Sequence, residues 1–191
     1  MSSDLAQELV LPLLEGRLGR PYRFVAECDS TQRLFADDAP EGATIATDHQ
    51  TAGRGRLGRV WDDTPGRALL FSVVLRPLPP MAVWPELSAV AGEAVTAALP
   101  LAARVSHPND VMVGERKIAG ILPEAADGRV VLGIGVNVNQ TADELPAEAV
   151  KPPTSLRFET GHEWGRAPLL AAILLEVERR YDAWQQGHAE S

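Results

Sequence analysis

The sequence has a single cysteine, Cys28, among its 191 residues. One cysteine cannot form a disulfide within the chain, and Cys28 has no neighbouring cysteine or histidine of the kind that a zinc site requires. Long apolar runs are also absent, since none approaches the roughly 18 residues that span a bilayer. The first ten residues contain an acid where a secretory signal would be basic. These absences predict a cytoplasmic protein with no disulfide, no structural zinc and no membrane segment.

Basic residues are in the minority. The chain has 18 Lys and Arg against 26 Asp and Glu, which gives a formal net charge of -8. An acidic surface repels a phosphate backbone, so we expect no nucleic-acid partner. The length and the hydrophobic content of 45% suit one ordinary soluble domain with a real core. We therefore predict a single domain over residues 1–191.

Apolar spacing and turn residues predict the order of helices and strands. Helical periodicity predicts helices at residues 4–14, where Pro12 weakens the pattern, and at residues 83–99 and 166–186. A short helix at residues 32–35 is expected to follow a capping turn at residues 29–31. Extended patterns predict strands at residues 22–27, 43–48, 68–75, 103–105, 111–113, 117–124 and 129–137.

The connections complete this prediction. Asp127-Gly128 supplies the positive φ angles of a hairpin turn, and Pro123 is expected to interrupt the strand at residues 117–124. Residues 140–165 are polar and contain three prolines, which predicts a surface segment of low order. Because helices are interleaved with hairpin-linked strands, the predicted fold class is α+β, with a mainly antiparallel central β-sheet flanked by helices.

The segment at residues 49–67 lacks periodicity and is predicted to be a long loop. Residues 53–58, GRGRLG, match the glycine spacing of a dinucleotide-binding turn, but a strand follows where that turn requires a helix, so this reading is excluded. Residues 49–61 contain no acid and carry Arg54, Arg56 and Arg59. Arginine suits phosphate because its planar fork donates paired hydrogen bonds. The segment predicts an anion-binding loop, with a flexible loop that binds nothing as the alternative.

Several segments, in order along the chain, resemble motifs of the biotin protein ligase family. Residues 48–61, DHQTAGRGRLGRVW, are similar to its signature loop. The other matches are Ser30-Thr31, PND at residues 108–110, RKIAGIL at residues 116–122 and GIGVN at residues 133–137. The resemblance covers about residues 22–186. It implies the α+β fold of class II aminoacyl-tRNA synthetases and biotin synthetases.

The resemblance also implies a reaction. In this family the carboxylate of biotin attacks the α-phosphate of Mg-ATP, which gives biotinyl-adenylate and pyrophosphate, and a carrier-protein lysine then takes the acyl group. The implied ligands are ATP, Mg²⁺ and biotin, and the implied partner is the biotin carboxyl carrier protein of acetyl-CoA or a related carboxylase. Because two anions meet in the first step, cations are needed between them.

Carried over residue by residue, the resemblance implies catalytic roles for Lys117 and Arg56. The biotin-binding residues that it implies are Ser30, Thr31, Gln50, Gly53, Arg54, Gly55, Arg56, Trp61, Lys117 and Gly120. The ATP-binding residues that it implies are Arg56, Arg59, Asn109, Asp110, Lys117 and Asn137. No protein ligand of a metal is assigned, although Asp110 could assist Mg²⁺. From the residues alone, Ser30-Thr31 could equally cap a helix, and Asn137 could simply end a strand.

The sequence departs from the family pattern in places. Ser106-His107 stands where the family has Lys-Trp, which removes one cation near the phosphates, and Gln32 replaces the usual asparagine after Ser-Thr. A C-terminal β-barrel domain and an N-terminal DNA-binding domain are expected to be absent, and no repressor role is expected. Two alternatives therefore stay open: a non-catalytic module for biotin or biotinyl-adenylate, and a lipoate or octanoate ligase or transferase of the same fold. The sequence also allows a homodimer.

Overall fold

The structure, a computed structural model, describes residues 3–147 and 149–189. Its centre is a seven-stranded sheet with the order β1-β2-β3-β7-β6-β5-β4. The strands are β1 Tyr22–Cys28, β2 Thr44–Gln50, β3 Ala68–Leu75, β4 Arg104–Ser106, β5 Asp110–Val113, β6 Arg116–Ala126 and β7 Arg129–Asn137. β1 and β2 are parallel, and every other neighbouring pair is antiparallel. The predicted α+β class with a mainly antiparallel sheet is confirmed.

Helices cover one face of this sheet. The α-helices are α1 Gln7–Val10, α2 Leu87–Ala98, α3 Leu156–Thr160 and α4 Arg166–Ala189. α2 packs on β4, β5 and β6, α4 packs on β3, and the two helices contact each other. All eight residues of β3 are buried, which agrees with the continuous apolar run that predicted this strand. Within the described residues, no helix is long and apolar enough to cross a membrane.

Three predictions that involve prolines differ from the structure. The helix expected at residues 4–14 is reduced to α1 and a 3₁₀ turn, Leu11–Leu13, that contains Pro12. α2 starts later than predicted because Pro85 lies in a preceding 3₁₀ helix, Met81–Glu86. The interruption expected at Pro123 was wrong, since β6 continues to Ala126. Pro123 lies beyond the part of β6 that pairs with β5, so on that side no neighbouring strand requires its missing donor.

Residues 140–147 and 149–165 are more ordered than predicted. Thr154, Ser155 and Leu156 are completely buried. The Ser155 hydroxyl donates to the Gln140 carbonyl and accepts from the Phe158 amide, which caps α3. The prediction of low order was wrong for residues 154–160, because the Ser155 and Thr160 hydroxyls hydrogen-bond to main-chain carbonyls within the segment.

The hairpin turn between β6 and β7 was predicted correctly. Asp127 has a φ of 52° and Gly128 a φ of 74°, as a two-residue hairpin turn requires. This turn sets the register in which Gly120 of β6 lies opposite Gly135 of β7. The two glycines mark the position of the site described next.

Candidate active site

A row of residues that lie opposite one another on adjacent strands forms the floor of a cavity. The row runs across β3, β7, β6, β5 and β4 as Leu70, Gly135, Gly120, Asp110 and Ser106. Residues opposite one another in a sheet point to the same face. The first four line a cavity of about 670 Å³, a volume typical of small-molecule sites.

The neighbours of this row point to the other side of the sheet. Val105 and Ile121, each one residue along its strand from the row, lie against Gly92 of α2. Because side chains alternate between faces along a strand, the row faces away from the helices. The cavity therefore occupies the face of the sheet that α2 and α4 leave uncovered.

Two glycines of the floor make room for an indole ring. A Cβ atom on Gly120 would lie 2.9 Å from the Trp61 ring, and one on Gly135 would lie 2.9 Å from two ring atoms. The Lys117 ammonium lies 5.5 Å from the centroid of the same ring, within the range of a cation–π interaction. The Trp61 indole nitrogen is buried and has no hydrogen-bond partner among the described residues. Trp61 thus closes the cavity over Lys117 while its N–H donor is unused.

The loop that carries Trp61 folds back on itself as a small hairpin. The Trp61 amide donates to the Gly53 carbonyl at 3.0 Å, and the Gly55 amide donates to the Arg59 carbonyl at 2.8 Å. A Cβ atom on Gly53 would lie 2.4 Å from the Trp61 carbonyl oxygen, so only glycine permits this approach. Gly53 is the one sequence-predicted site residue that does not line the cavity, and it shapes the loop instead.

Lysine ammonium groups surround one carboxylate on the cavity wall. Lys117 Nζ lies 2.8 Å from Asp110 Oδ1, and Lys151 Nζ lies 2.7 Å from Asp110 Oδ2. Lys151 Nζ also donates to the Ser106 hydroxyl at 3.2 Å. Burial by itself would raise the pKa of Asp110, but the hydrogen bonds and charges of the two lysines outweigh burial and hold that pKa below its ordinary value. Asp110 is therefore ionised, with both oxygens engaged.

The arginines of the loop divide into two kinds. Arg54 pairs with Glu124 of β6 at 2.7 Å, which fastens the loop to the sheet. Arg56 and Arg59 line the cavity, are exposed, and make no ion pair or side-chain hydrogen bond with any described residue. These two guanidinium groups are the ones available to an anion.

A hydroxyl and amide cluster forms another part of the wall. The Thr31 and Ser72 hydroxyls are hydrogen-bonded at 2.7 Å, and the Thr31 amide donates to Gln50 Oε1 at 2.9 Å. The helix-cap alternative for Ser30 and Thr31 was wrong, because the 3₁₀ helix Thr31–Arg33 has no side-chain cap. The Ser30 hydroxyl makes no hydrogen bond within residues 3–147 and 149–189, and Ser30 lines the cavity.

Sequence reasoning missed Ser72, Lys151 and the contacts of Gln32. Ser72 could have been noticed as the one polar side chain in the apolar run of β3. Gln32 donates to the Leu122 carbonyl at 2.9 Å and lies over Gly133, where a Cβ atom would be 2.9 Å from its amide carbon. The longer side chain at position 32 thus fills space above β7.

The two asparagines predicted to bind ATP line the cavity, and their side chains form hydrogen bonds within the protein. Asn109 Nδ2 donates to the Ile121 carbonyl at 3.0 Å. Asn137 Nδ2 donates to the Thr154 carbonyl at 3.0 Å, and Asn137 Oδ1 accepts from Gln140. The Asn137 amide thus makes one donor and one acceptor hydrogen bond at the end of β7, which leaves one N–H and one lone pair without a partner among the described residues, and its role toward ATP stays a prediction.

The described residues contain no cluster of side chains that is typical of a protein metal site. Within the described part of the chain, no group of three His, Cys, Asp or Glu side chains could hold a metal ion. Asp110, the acid that could have assisted Mg²⁺, is occupied by two ammonium groups. A magnesium ion at this cavity would have to depend on ligands such as substrate phosphates.

The fold and the cavity define an α+β domain with a cationic small-molecule site, and comparison with known proteins identifies its family. The model of the Biotin/lipoate A/B protein ligase family matches residues 25–140. The chain belongs to this family.

Its relatives narrow the comparison. The bifunctional ligase/repressor BirA of Bacillus subtilis is 39% identical over 165 residues, which are 80% of this chain and 51% of that protein. The biotin-acetyl-CoA-carboxylase ligase of Mycobacterium tuberculosis is 35% identical over 184 residues, which are 90% of this chain and 68% of that protein. This chain thus spans about half the length of the BirA relatives. The biotin protein ligase of Aquifex aeolicus in complex with biotin and ATP superposes with a TM-score of 0.78 at 33% identity, over 86% of this chain and 72% of that one.

Proposed function

We propose that this chain is an ATP-dependent biotin protein ligase. In the first step, a carboxylate oxygen of biotin forms a bond to the α-phosphorus of ATP while the bond from that phosphorus to the bridging oxygen breaks, so that biotinyl-5'-AMP forms and pyrophosphate leaves. In the second step, a lysine amine of the biotin carboxyl carrier protein of acetyl-CoA carboxylase or a related carboxylase attacks the acyl carbon, and AMP leaves.

The observation that carries this proposal is the position of Lys117 in the cavity. Its ammonium group is held by Asp110 on one side and by the Trp61 ring on the other. Two anions have to approach each other in the first step, and a fixed cation lowers the cost of that approach. Lys117 is the residue that we assign to the reacting carboxylate and α-phosphate.

The rest of the cavity supports the same substrates. The polar side chains of Ser30, Thr31 and Gln50 line the cavity and offer hydrogen bonds to the uncharged polar ring of biotin. Arg56 and Arg59 offer unpaired guanidinium groups to the phosphates. The Aquifex relative binds both biotin and ATP. Magnesium would arrive bound to ATP, because the described residues contain no cluster of three His, Cys, Asp or Glu side chains that could hold it alone.

The test is pyrophosphate release from biotin and Mg-ATP. We expect the purified protein to release pyrophosphate and Lys117→Ala to abolish the release. Arg104→Met is the matched control, because it removes an exposed cation that pairs with Glu115 outside the cavity. Calorimetry with biotin, lipoate and octanoate establishes which acid binds. Tight biotin binding without pyrophosphate would instead favour a non-catalytic module, and binding of lipoate or octanoate in place of biotin would favour another member of the family.

A further inference from the structure

The distribution of lysine in the chain is uneven. Of the 18 Lys and Arg residues only two are lysines, Lys117 and Lys151. Both contact the same carboxylate, that of Asp110, at 2.8 and 2.7 Å. Lysine carries a compact ammonium charge on a flexible stem, whereas arginine carries a broad planar one. A chain that uses arginine at every other basic position therefore has its two side-chain ammonium groups at this cavity.

Main-chain hydrogen bonds fix Lys151 beside Lys117. The Lys117 amide donates to the Pro152 carbonyl at 2.8 Å, and the Thr154 amide donates to the Lys117 carbonyl at 2.9 Å. These bonds form a parallel bridge between Lys117 and Pro153. In the sheet, Pro153 thus lies beside β6 next to the point where β7 ends at Asn137. Lys151 immediately precedes the bridged residues, so its side chain is held at the wall and not on a free loop.

The charges at this wall do not balance. One carboxylate offsets one of the two ammonium groups, so the cluster has an excess of one positive charge. The side chains are only partly accessible, at 28% for Lys117, 36% for Lys151 and 13% for Asp110. Charge that is partly removed from water is stabilised by an opposite charge. An anionic ligand in the cavity would supply it.

Ser106 explains why Lys151 can reach this position. Ser106 ends the row of floor residues opposite Asp110, and its small side chain accepts a hydrogen bond from Lys151 Nζ at 3.2 Å. We propose that Lys151 is a further phosphate-binding cation, which contacts the nucleotide from the segment after β7 in place of a basic side chain at position 106. This proposal rests on the proposed function and adds a residue to it. Lys151 binds phosphate of ATP, while Lys117 acts on the reacting groups.

Binding measurements test this role directly. Calorimetry of the wild type and Lys151→Met with ATP, adenosine and biotin separates phosphate contacts from the others. We expect ATP to bind about tenfold more weakly to the variant, the lower end for a charged hydrogen bond at a partly exposed group. Adenosine and biotin should bind unchanged. Arg104→Met again removes one positive charge outside the cavity, and its affinity for ATP should equal that of the wild type.

Kinetics and a transplanted lysine complete the test. In the pyrophosphate assay, Lys151→Met should raise KM for ATP about tenfold and leave KM for biotin unchanged. The double variant Ser106→Lys with Lys151→Met should recover the KM for ATP, because a lysine at position 106 can extend into the space that Lys151 vacates. Lys151→Arg, which keeps the charge, should bind ATP more tightly than Lys151→Met.

The outcomes separate this inference from the proposed function. Equal ATP affinity in the wild type and Lys151→Met would overturn the inference, as would an equal loss for ATP and adenosine, because that loss would indicate a structural role. A wild-type protein that binds ATP but releases no pyrophosphate with biotin would overturn the proposed function. The comparison of ATP with adenosine would still decide the role of Lys151.

Discussion

Adding one methyl group to either glycine under Trp61 should displace the indole and, with it, the loop at residues 49–67. Gly135→Ala would place its Cβ atom 2.9 Å from two atoms of the indole, a distance that side chains essentially never adopt. Overpacking of this kind costs about 1 to 3 kcal/mol, and alanine in a strand returns about 0.5 to 1 kcal/mol relative to glycine. We therefore expect a net loss of about 0 to 2.5 kcal/mol in the free energy of unfolding.

The loss should be limited because Trp61 can leave. Its loop is exposed around Leu57 and Val60, so the ring moves off the sheet more cheaply than β7 can shift. Once one alanine has displaced the ring, a second alanine meets no partner. The double variant Gly120→Ala with Gly135→Ala should thus lose about 1 kcal/mol less than the sum of the two single variants.

Urea unfolding and limited proteolysis measure the two effects. We expect each variant to cleave faster within residues 49–67 than the wild type, and we expect biotin to restore protection less well. Gly92→Ala is the control, because it crowds Val105 on the helix side of the sheet at 3.2 Å. Its effect should add to that of Gly135→Ala. If the two floor variants were additive within about 0.5 kcal/mol and the loop stayed protected, Trp61 would not be the shared partner.

Two other predictions concern buried polar groups. Thr31→Val leaves the Ser72 hydroxyl without its partner, so urea unfolding should show a loss of about 1 to 3 kcal/mol, and the added change Ser72→Ala should return part of it. The pKa of Asp110 is lowered in the folded state, so its stabilising contribution is present above its unfolded pKa and is lost as pH falls through the folded pKa. The difference in stability between wild type and Asp110→Asn should therefore be full at pH 7, begin to decline near about pH 4 and continue to decline as the pH is lowered further. A difference that persists in acid would contradict these ion pairs.

Much of the sheet could be predicted because its strands and turns are indicated by residues that are close together in the sequence. The apolar run of β3 and the Asp127-Gly128 turn gave boundaries that the structure reproduces. Pairing of neighbouring strands then brings the separate motifs together, so that Gly120, Gly135 and Asp110 fall in one row. The family resemblance indicated most of the cavity wall for the same reason.

Contacts between distant segments could not be predicted in this way. Lys151 and Asp110 are 41 residues apart, and no periodicity indicates either their ion pair or the main-chain bridge between Lys117 and Pro153 that positions Lys151. Ser72 lies 41 residues from Thr31, and the sequence does not show that the two hydroxyls are hydrogen-bonded to each other. The wrong prediction for Pro123 has a related cause. Whether a proline interrupts a strand depends on which neighbouring strand is paired with it at that position.

The Asp127-Gly128 turn also bears on where the chain tolerates insertions and deletions. A shift of one residue in the pairing of two strands sends every side chain to the opposite face. An extra residue that shifted the pairing of β6 and β7 by one position would direct Gly120 toward the helices and carry Ala119 to the cavity floor beneath the indole. The length of this surface turn, which lies outside the cavity, therefore matters to the cavity floor, because an insertion there is tolerated only if the longer loop keeps the pairing of Gly120 with Gly135.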